Sequence, residues 1–223
     1  MAIAPLNKFI TKAVPIAPGE QIVYEAPTGV SSIILYASVA NVGVNTYPTF
    51  TFTHRRKSTA SKTSGNTRDT RVIKNAEVPP QDSLVVIDGR LVLERSALLR
   101  DSIIVQGVQS GVVDINFVDY DHTTGITTVQ TSTPHGFEVD DEVTMSGIAF
   151  SCASYTGGLT TSIFPEPQRS FVVDSITGPV GTSLTFTTNA GVVSGIGHTY
   201  VSGGKAAPLQ MELIMSILEN STT

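Results

Sequence analysis

The chain has 223 residues, 40% of them hydrophobic and 15% charged, with a net charge of −5. That length can bury a core, and the composition excludes the charge-rich, apolar-poor make-up of a disordered chain. The acidic balance argues against a dedicated nucleic-acid binder, which is basic over its binding domain, and the single cysteine, Cys152, excludes an intrachain disulfide and a cysteine-rich zinc site.

Nineteen glycines and twelve prolines punctuate short runs rich in Val, Ile, Thr and Ser, which is the composition of strands and turns. Near the N-terminus, Lys8 and Lys12 interrupt the apolar residues and Pro5, Pro15 and Pro18 break them, so no signal-peptide core is expected there. No apolar run reaches bilayer-spanning length, and no membrane partner is expected. A strand is predicted at Gln21 to Glu25 and a longer one at Ser31 to Asn41, where Ile33, Leu35, Ala37 and Val39 alternate and should share one sheet face. From Tyr47 to Arg55, Phe50 and Phe52 alternate with Thr49, Thr51 and Thr53, which predicts a half-buried strand with a wet threonine side. The polar stretch from Ser58 to Thr70, centred on Gly65-Asn66, reads as a long hairpin loop, with a strand after it at Arg71 to Val78. Ser83 to Glu94 carries Asp88-Gly89 between two apolar runs, which predicts a tight type I′ hairpin turn. Two more strands are expected at Ser102 to Gln106 and Val112 to Val118.

From Asp119 the character changes: Gly, Thr and Ser dominate and charge falls. Short strands are predicted at Ile126 to Thr131, Glu142 to Met145, Phe171 to Ile176 and Ser183 to Thr188. The earlier style returns at Leu209 to Leu218, where Met211, Leu213, Met215 and Ile217 alternate; a helix is the rival reading, and a closing strand is preferred. The expected fold is all-β: an antiparallel β-sandwich of residues 1–118 plus 207–223, closed by the C-terminal strand, with a small barrel-like β domain, 119–206, inserted before that strand. Insertions are tolerated at surface turns whose ends lie close together.

Residues that could carry chemistry are sparse. His54, His122, His135 and His198 show no metal-ligand spacing, and the Asp119-Tyr120-Asp121-His122 cluster reads as a solvated junction. Asp140, Asp141 and Glu142 stand in a row rather than at the alternate positions of a calcium loop. Cys152 could serve as a nucleophile only with a distant histidine, and otherwise reads as a small buried hydrophobe. Neither a nucleophile elbow nor a phosphate-binding glycine loop occurs. The expectation is therefore no enzyme and no cofactor. The strongest local signal is basic. Arg55, Arg56, Lys57, Lys62, Arg68, Arg71 and Lys74 are half of the 14 basic residues, with Asp69 the one acid among them. They form either a solvated hairpin tip or an electropositive arm that docks on an acidic neighbour. Nucleic acid is the less favoured partner, since neither an aromatic platform nor a recognition helix accompanies the charges.

Two stretches carry a family resemblance. Gly125 to Cys152, with Ser132, Thr133, His135 and Gly136 in one turn, Asp140 and Asp141 in the next and Ser146 to Ile148 after it, resembles small β modules in tail and other virion proteins of T4-like marine cyanophages. Leu184 to Gly204, closing on His198 to Gly204, does so too. This chain has Asp140 where the acidic turn of those modules has Gly. The first domain resembles β-sandwich phage structural proteins through Ala26 to Gly29, the Ser31 to Asn41 strand and the segment from Pro79 to Glu94. The resemblance implies an oligomeric building block of the neck, tail or baseplate, localised to the virion and assembled in the host cytoplasm, where a free thiol is at home. Its partners would be other virion proteins and copies of itself, in closed rings. The alternatives are a capsid decoration protein and a receptor- or carbohydrate-binding tail-fibre module. In the last case a host-surface glycan would meet 119–206 through Tyr120, Tyr155 or Tyr200.

Overall fold

A computed structural model describes residues 7–58, 67–96, 98–153, 159–164, 169–191 and 197–221. The chain divides into two units. The first is 1–16, 20–108 and 210–223, and the second is 17–19 and 109–209. Every element is a strand, and no helix occurs among the described residues.

The first unit contains β1 (Asn7–Pro15), β2 (Gly19–Glu25), β3 (Val30–Asn41), β4 (Thr49–Ser58), β5 (Thr67–Glu77), β6 (Ser83–Glu94) and β7 (Leu99–Val108). The second contains β8 (Val113–Tyr120), β9 (Ile126–Thr131), β10 (Glu142–Ser146), β11 (Ile148–Ala153), β12 (Leu159–Phe164), β13 (Ser170–Ile176), β14 (Thr185–Asn189), β15 (His198–Ser202) and β16 (Lys205–Pro208). The chain then returns to the first unit as β17 (Met211–Ser221).

Two four-stranded sheets, β1-β17-β3-β6 and β2-β7-β4-β5, make the first unit a β-sandwich. Along this unit the first strand pairs with the last, the second with the seventh, the third with the sixth and the fourth with the fifth. That nesting is a long antiparallel ribbon rolled over itself, the strand order of a jelly roll. The closing strand is central rather than peripheral, because β17 lies between β1 and β3. Its alternation decides strand over helix: Met211, Leu213, Met215 and Ile217 are all fully buried, while Ile214 points out. The partner β1 was missed in the sequence because its alternation is weak, with mostly exposed residues up to Ala13.

Three details depart from the sequence reading. Asp88-Gly89 is not a turn: β6 runs straight through it, paired to β3 on both sides. Gly89 takes a φ of 154° while Asp88 lacks the positive φ that a type I′ turn demands. Ile34 faces Leu91 and Tyr36 faces Asp88, so Gly89 and Arg90 form a β-bulge opposite a single residue. The single-face alternation expected of Ile33, Leu35, Ala37 and Val39 also fails. Ser216 faces Tyr36 and Ile217 faces Ile34, which makes Leu35 an extra residue and switches the core side from Ile34 to Ala37 and Val39. On β4, Phe50 and Phe52 enter the core as expected, but Thr51 and Thr53 are buried rather than wet. The Thr51 hydroxyl is engaged by Asn75, whose φ of 50° marks a bulge in β5.

The second unit is a closed six-stranded barrel, β10-β13-β14-β9-β8-β16, with a small sheet β12-β11-β15. Val118, Val129, Phe137, Val143, Met145, Phe171, Val173 and Phe186 fill its core, as side chains fill the interior of small barrels. The insertion thus begins at Gln109 and ends at Leu209, wider than the 119–206 read from sequence. The reason is closure: β8 and β16 are staves of this barrel and pair with each other and with β9 and β10.

Candidate functional site

The basic stretch lies on β4 and β5, and the fold supplies acids that are distant in sequence. Arg56 Nε and one terminal nitrogen donate to the two carboxylate oxygens of Asp101 on β7, at 2.8 and 2.6 Å. Asp101 is fully buried, and its Oδ2 also accepts the backbone N–H of Glu94 on the opposite sheet at 3.0 Å. His54 Nε2 stands 3.3 Å from the same oxygen. Burial pushes the Asp101 carboxyl up, but the Arg56 hydrogen bonds, the Glu94 N–H and the charges of Arg56 and His54 outweigh it and hold the group below its ordinary value. Arg55 donates to Asp69 through two bonds of 2.8 Å and to Glu20 at 2.6 Å. Its guanidinium is held even more firmly protonated, chiefly by the Asp69 and Glu20 hydrogen bonds.

Arg55 and Arg56 are therefore ties within the sandwich. Lys57, Arg68, Arg71 and Lys74 remain exposed, the last three on β5, an edge strand of its sheet. That edge carries two register shifts beside its charges. Bulges and basic side chains are how natural sheets discourage strand addition. Lys62 lies outside the described residues.

A different surface emerges at the β3–β4 connection. Buried Asn41 donates to the carbonyls of Thr46 and Val78, both at 2.8 Å, and its Oδ1 accepts Gly43 N–H at 2.9 Å. A Cβ on Gly43 would strike the Thr46 hydroxyl, so a larger residue there would have to displace that side chain. The loop so fixed holds Val42, Val44 and Tyr47 outward, the last two 74% and 64% exposed. The sequence signal was available: three large apolar residues within a Gly-Asn-Thr-Pro segment too short for another strand.

In the second unit the candidate chemical groups are mostly structural. Asp121 closes the β8–β9 turn. Its carboxylate accepts the Thr123 N–H and the Thr123 and Thr124 hydroxyls, bonds that hold it below the usual carboxylate range. His135 is buried: its Nδ1 accepts the Phe137 N–H at 3.0 Å, which leaves the proton on Nε2 to donate to Ser183 Oγ at 3.1 Å. Burial lowers its pKa. Asp140 adopts φ 72°, the left-handed conformation that suits a glycine, and Asp141 accepts the Glu138 N–H in the same turn.

Cys152 does meet a histidine. His198 faces it across the β11–β15 pair, and its Nδ1 contacts the buried sulfur. Burial, followed by the influence of His122, lowers the His198 pKa, which makes the ring a weaker proton acceptor for the thiol. No cluster of three His, Cys, Asp or Glu able to hold a metal occurs among the described residues. Of the three tyrosines weighed as glycan contacts, Tyr120 is buried, Tyr155 lies outside the described residues and Tyr200 is half-buried. Among the described residues of this unit the exposed aromatic is Phe117, edge-on to Tyr200 with ring centroids 5.6 Å apart. No protein-family model matches the chain, and no curated protein matches it significantly.

Proposed function

We propose that the chain is a non-enzymatic structural subunit of a bacteriophage virion, an oligomeric building block of the neck, tail or baseplate. The observation that carries this reading is the rigid apolar loop. Three large hydrophobic side chains are held in solvent by a hydrogen-bond lattice around one buried asparagine. Apolar groups exposed together at a fixed site mark a contact surface. A jelly-roll sandwich with its own core is a stiff carrier for such a surface, and the resemblance of the sequence to phage virion modules supplies the setting. The groups that would serve catalysis are instead engaged in turns and core contacts.

The test is native mass by light scattering, on the wild type and on two variants. One carries Val44→Ser with Tyr47→Ser. The other carries Lys57→Ser, Arg68→Ser and Arg71→Ser and leaves Arg55 and Arg56 to their internal partners. A ring-sized oligomer that the first variant reduces to monomer supports assembly through the loop. Loss in the second variant instead moves the contact to the basic edge. A wild-type monomer over the whole concentration range overturns self-assembly.

A further inference from the structure

We propose that the second unit carries a binding recess for a neutral hexopyranose sugar, floored by Gly147, Gly203 and Gly204 and rimmed by Asp114 and Lys205, with Tyr200 bonded to the floor at Gly203 and Phe117 against the Tyr200 ring. The recess does not depend on the virion assignment, because all of its residues lie within one unit. It is a shallow recess open to solvent, with a volume of about 450 Å³, within the range of small-ligand pockets.

Close packing and backbone shape fix its glycine floor. A Cβ at Gly203 would come within 2.8 Å of the Gly147 carbonyl oxygen, and one at Gly204 within 2.7 Å of Ile148 Cγ1. All three glycines hold positive φ, at 71°, 76° and 116°. Only a Cβ at Gly147 would meet open space, so the glycines hold two tight turns that bound the recess.

The aromatic flank is placed by a bulge. Val113 and Ile115 point into the barrel, and strict alternation would send Phe117 after them. Ile115 faces Thr131 and Phe117 faces Gln130, so Asn116 is an extra residue and the phase flips. Val118 and Tyr120 turn inward and Phe117 is left 48% exposed. Bulges re-aim side chains in this way beside functional sites. Tyr200 is pinned next to the recess, its hydroxyl donating to the Gly203 carbonyl at 3.0 Å. The pair offers apolar rings to the C–H face of a pyranose.

The rim supplies polar groups. Lys205 Nζ stands 2.6 Å from Asp114 Oδ1, and both side chains are more than half exposed, so sugar hydroxyls can replace water around them. Ser146 Oγ donates to the Pro18 carbonyl and keeps its lone pairs for a ligand. The Asp114–Lys205 pair leaves the rim without net charge, which favours a neutral sugar over an anionic one.

The experiment is saturation-transfer NMR on the full chain with the methyl glycosides of glucose, galactose, mannose and N-acetylglucosamine, and with glucuronate as the charged control. Saturable transfer to the ring protons of at least one neutral glycoside is expected, weakened about tenfold by Phe117→Ser and by Asp114→Asn, both at exposed positions. No saturable transfer from any neutral glycoside, transfer to glucuronate alone, or wild-type binding by both variants overturns the proposal. None of these results bears on the native mass.

Discussion

Asp101→Asn tests whether the buried carboxylate is the tie at its end of the sandwich. The side chain is fully buried and accepts from Arg56 twice and from the Glu94 N–H of the other sheet. Removing one partner of a buried ion pair costs about 3–5 kcal/mol when the other is left buried and unpaired. Arg56 is 41% exposed and lies 3.7 Å from Glu94, so water and Glu94 take up part of its charge. Asparagine also keeps one accepting oxygen. The expected loss is therefore about 2–3 kcal/mol. It is measured by urea unfolding with pulsed hydrogen exchange, so that amides of β3 and β17 report separately from those of β9 and β14. The pH dependence gives a second signature. The folded pKa of Asp101 is depressed, so its contribution is present above the unfolded value of about 3.9 and is lost as pH falls through the folded value. The gap between wild type and variant should hold at neutral pH and shrink as the solution is acidified past about pH 4. A loss under about 1 kcal/mol, or a gap that does not change with pH, refutes the role.

Two further outcomes concern the second unit. Asp140→Gly should stabilise it by about 0.5–1 kcal/mol, because the left-handed conformation at φ 72° costs an aspartate more than the added freedom of an unfolded glycine; a lower urea midpoint for the β9 and β14 amides would contradict this. His135 and His198 both have pKa values lowered by burial, so their contribution is complete above the unfolded value of about 6.5 and is lost as pH falls. Acidification from about pH 7 to 5 should loosen the second unit. His135→Asn should start less stable and fall less steeply, with His198 supplying the remaining slope, and parallel slopes would sink the assignment.

Much of the fold was legible because buried alternation is a strong signal. Met211 to Ile217 announced the closing strand, and Phe50 with Phe52 announced a core-facing one. What the sequence hid was phase. Leu35, Gly89, Asn75 and Asn116 lie at points where one strand holds a residue more than its partner. A period of two cannot reveal where it slips. Gly89 illustrates the ambiguity: after Asp it reads as a turn, yet an isolated glycine in a long apolar run is equally the mark of a bulge. The wider barrel boundary has the same kind of cause, since the pairing of β8 with β16 joins residues about ninety positions apart.

The basic stretch shows how charge counted along a chain differs from charge presented on a surface. Seven cations beside one acid look like an electropositive arm. Folding brings Glu20, Glu94 and Asp101 onto the two most forward arginines and converts them into ties across and along the sandwich. The remaining cations on β5 sit on a bulged edge, where they oppose the addition of another strand. Assembly through this face would have to use side chains rather than backbone pairing. The apolar loop at the β3–β4 connection instead leaves Val44 and Tyr47 mostly exposed. A contact surface gains from apolar area that the monomer leaves uncovered, and it gains little from charges the monomer has already neutralised. On that ground the serine substitutions at Val44 and Tyr47 bear more directly on assembly than any change to Arg55 or Arg56.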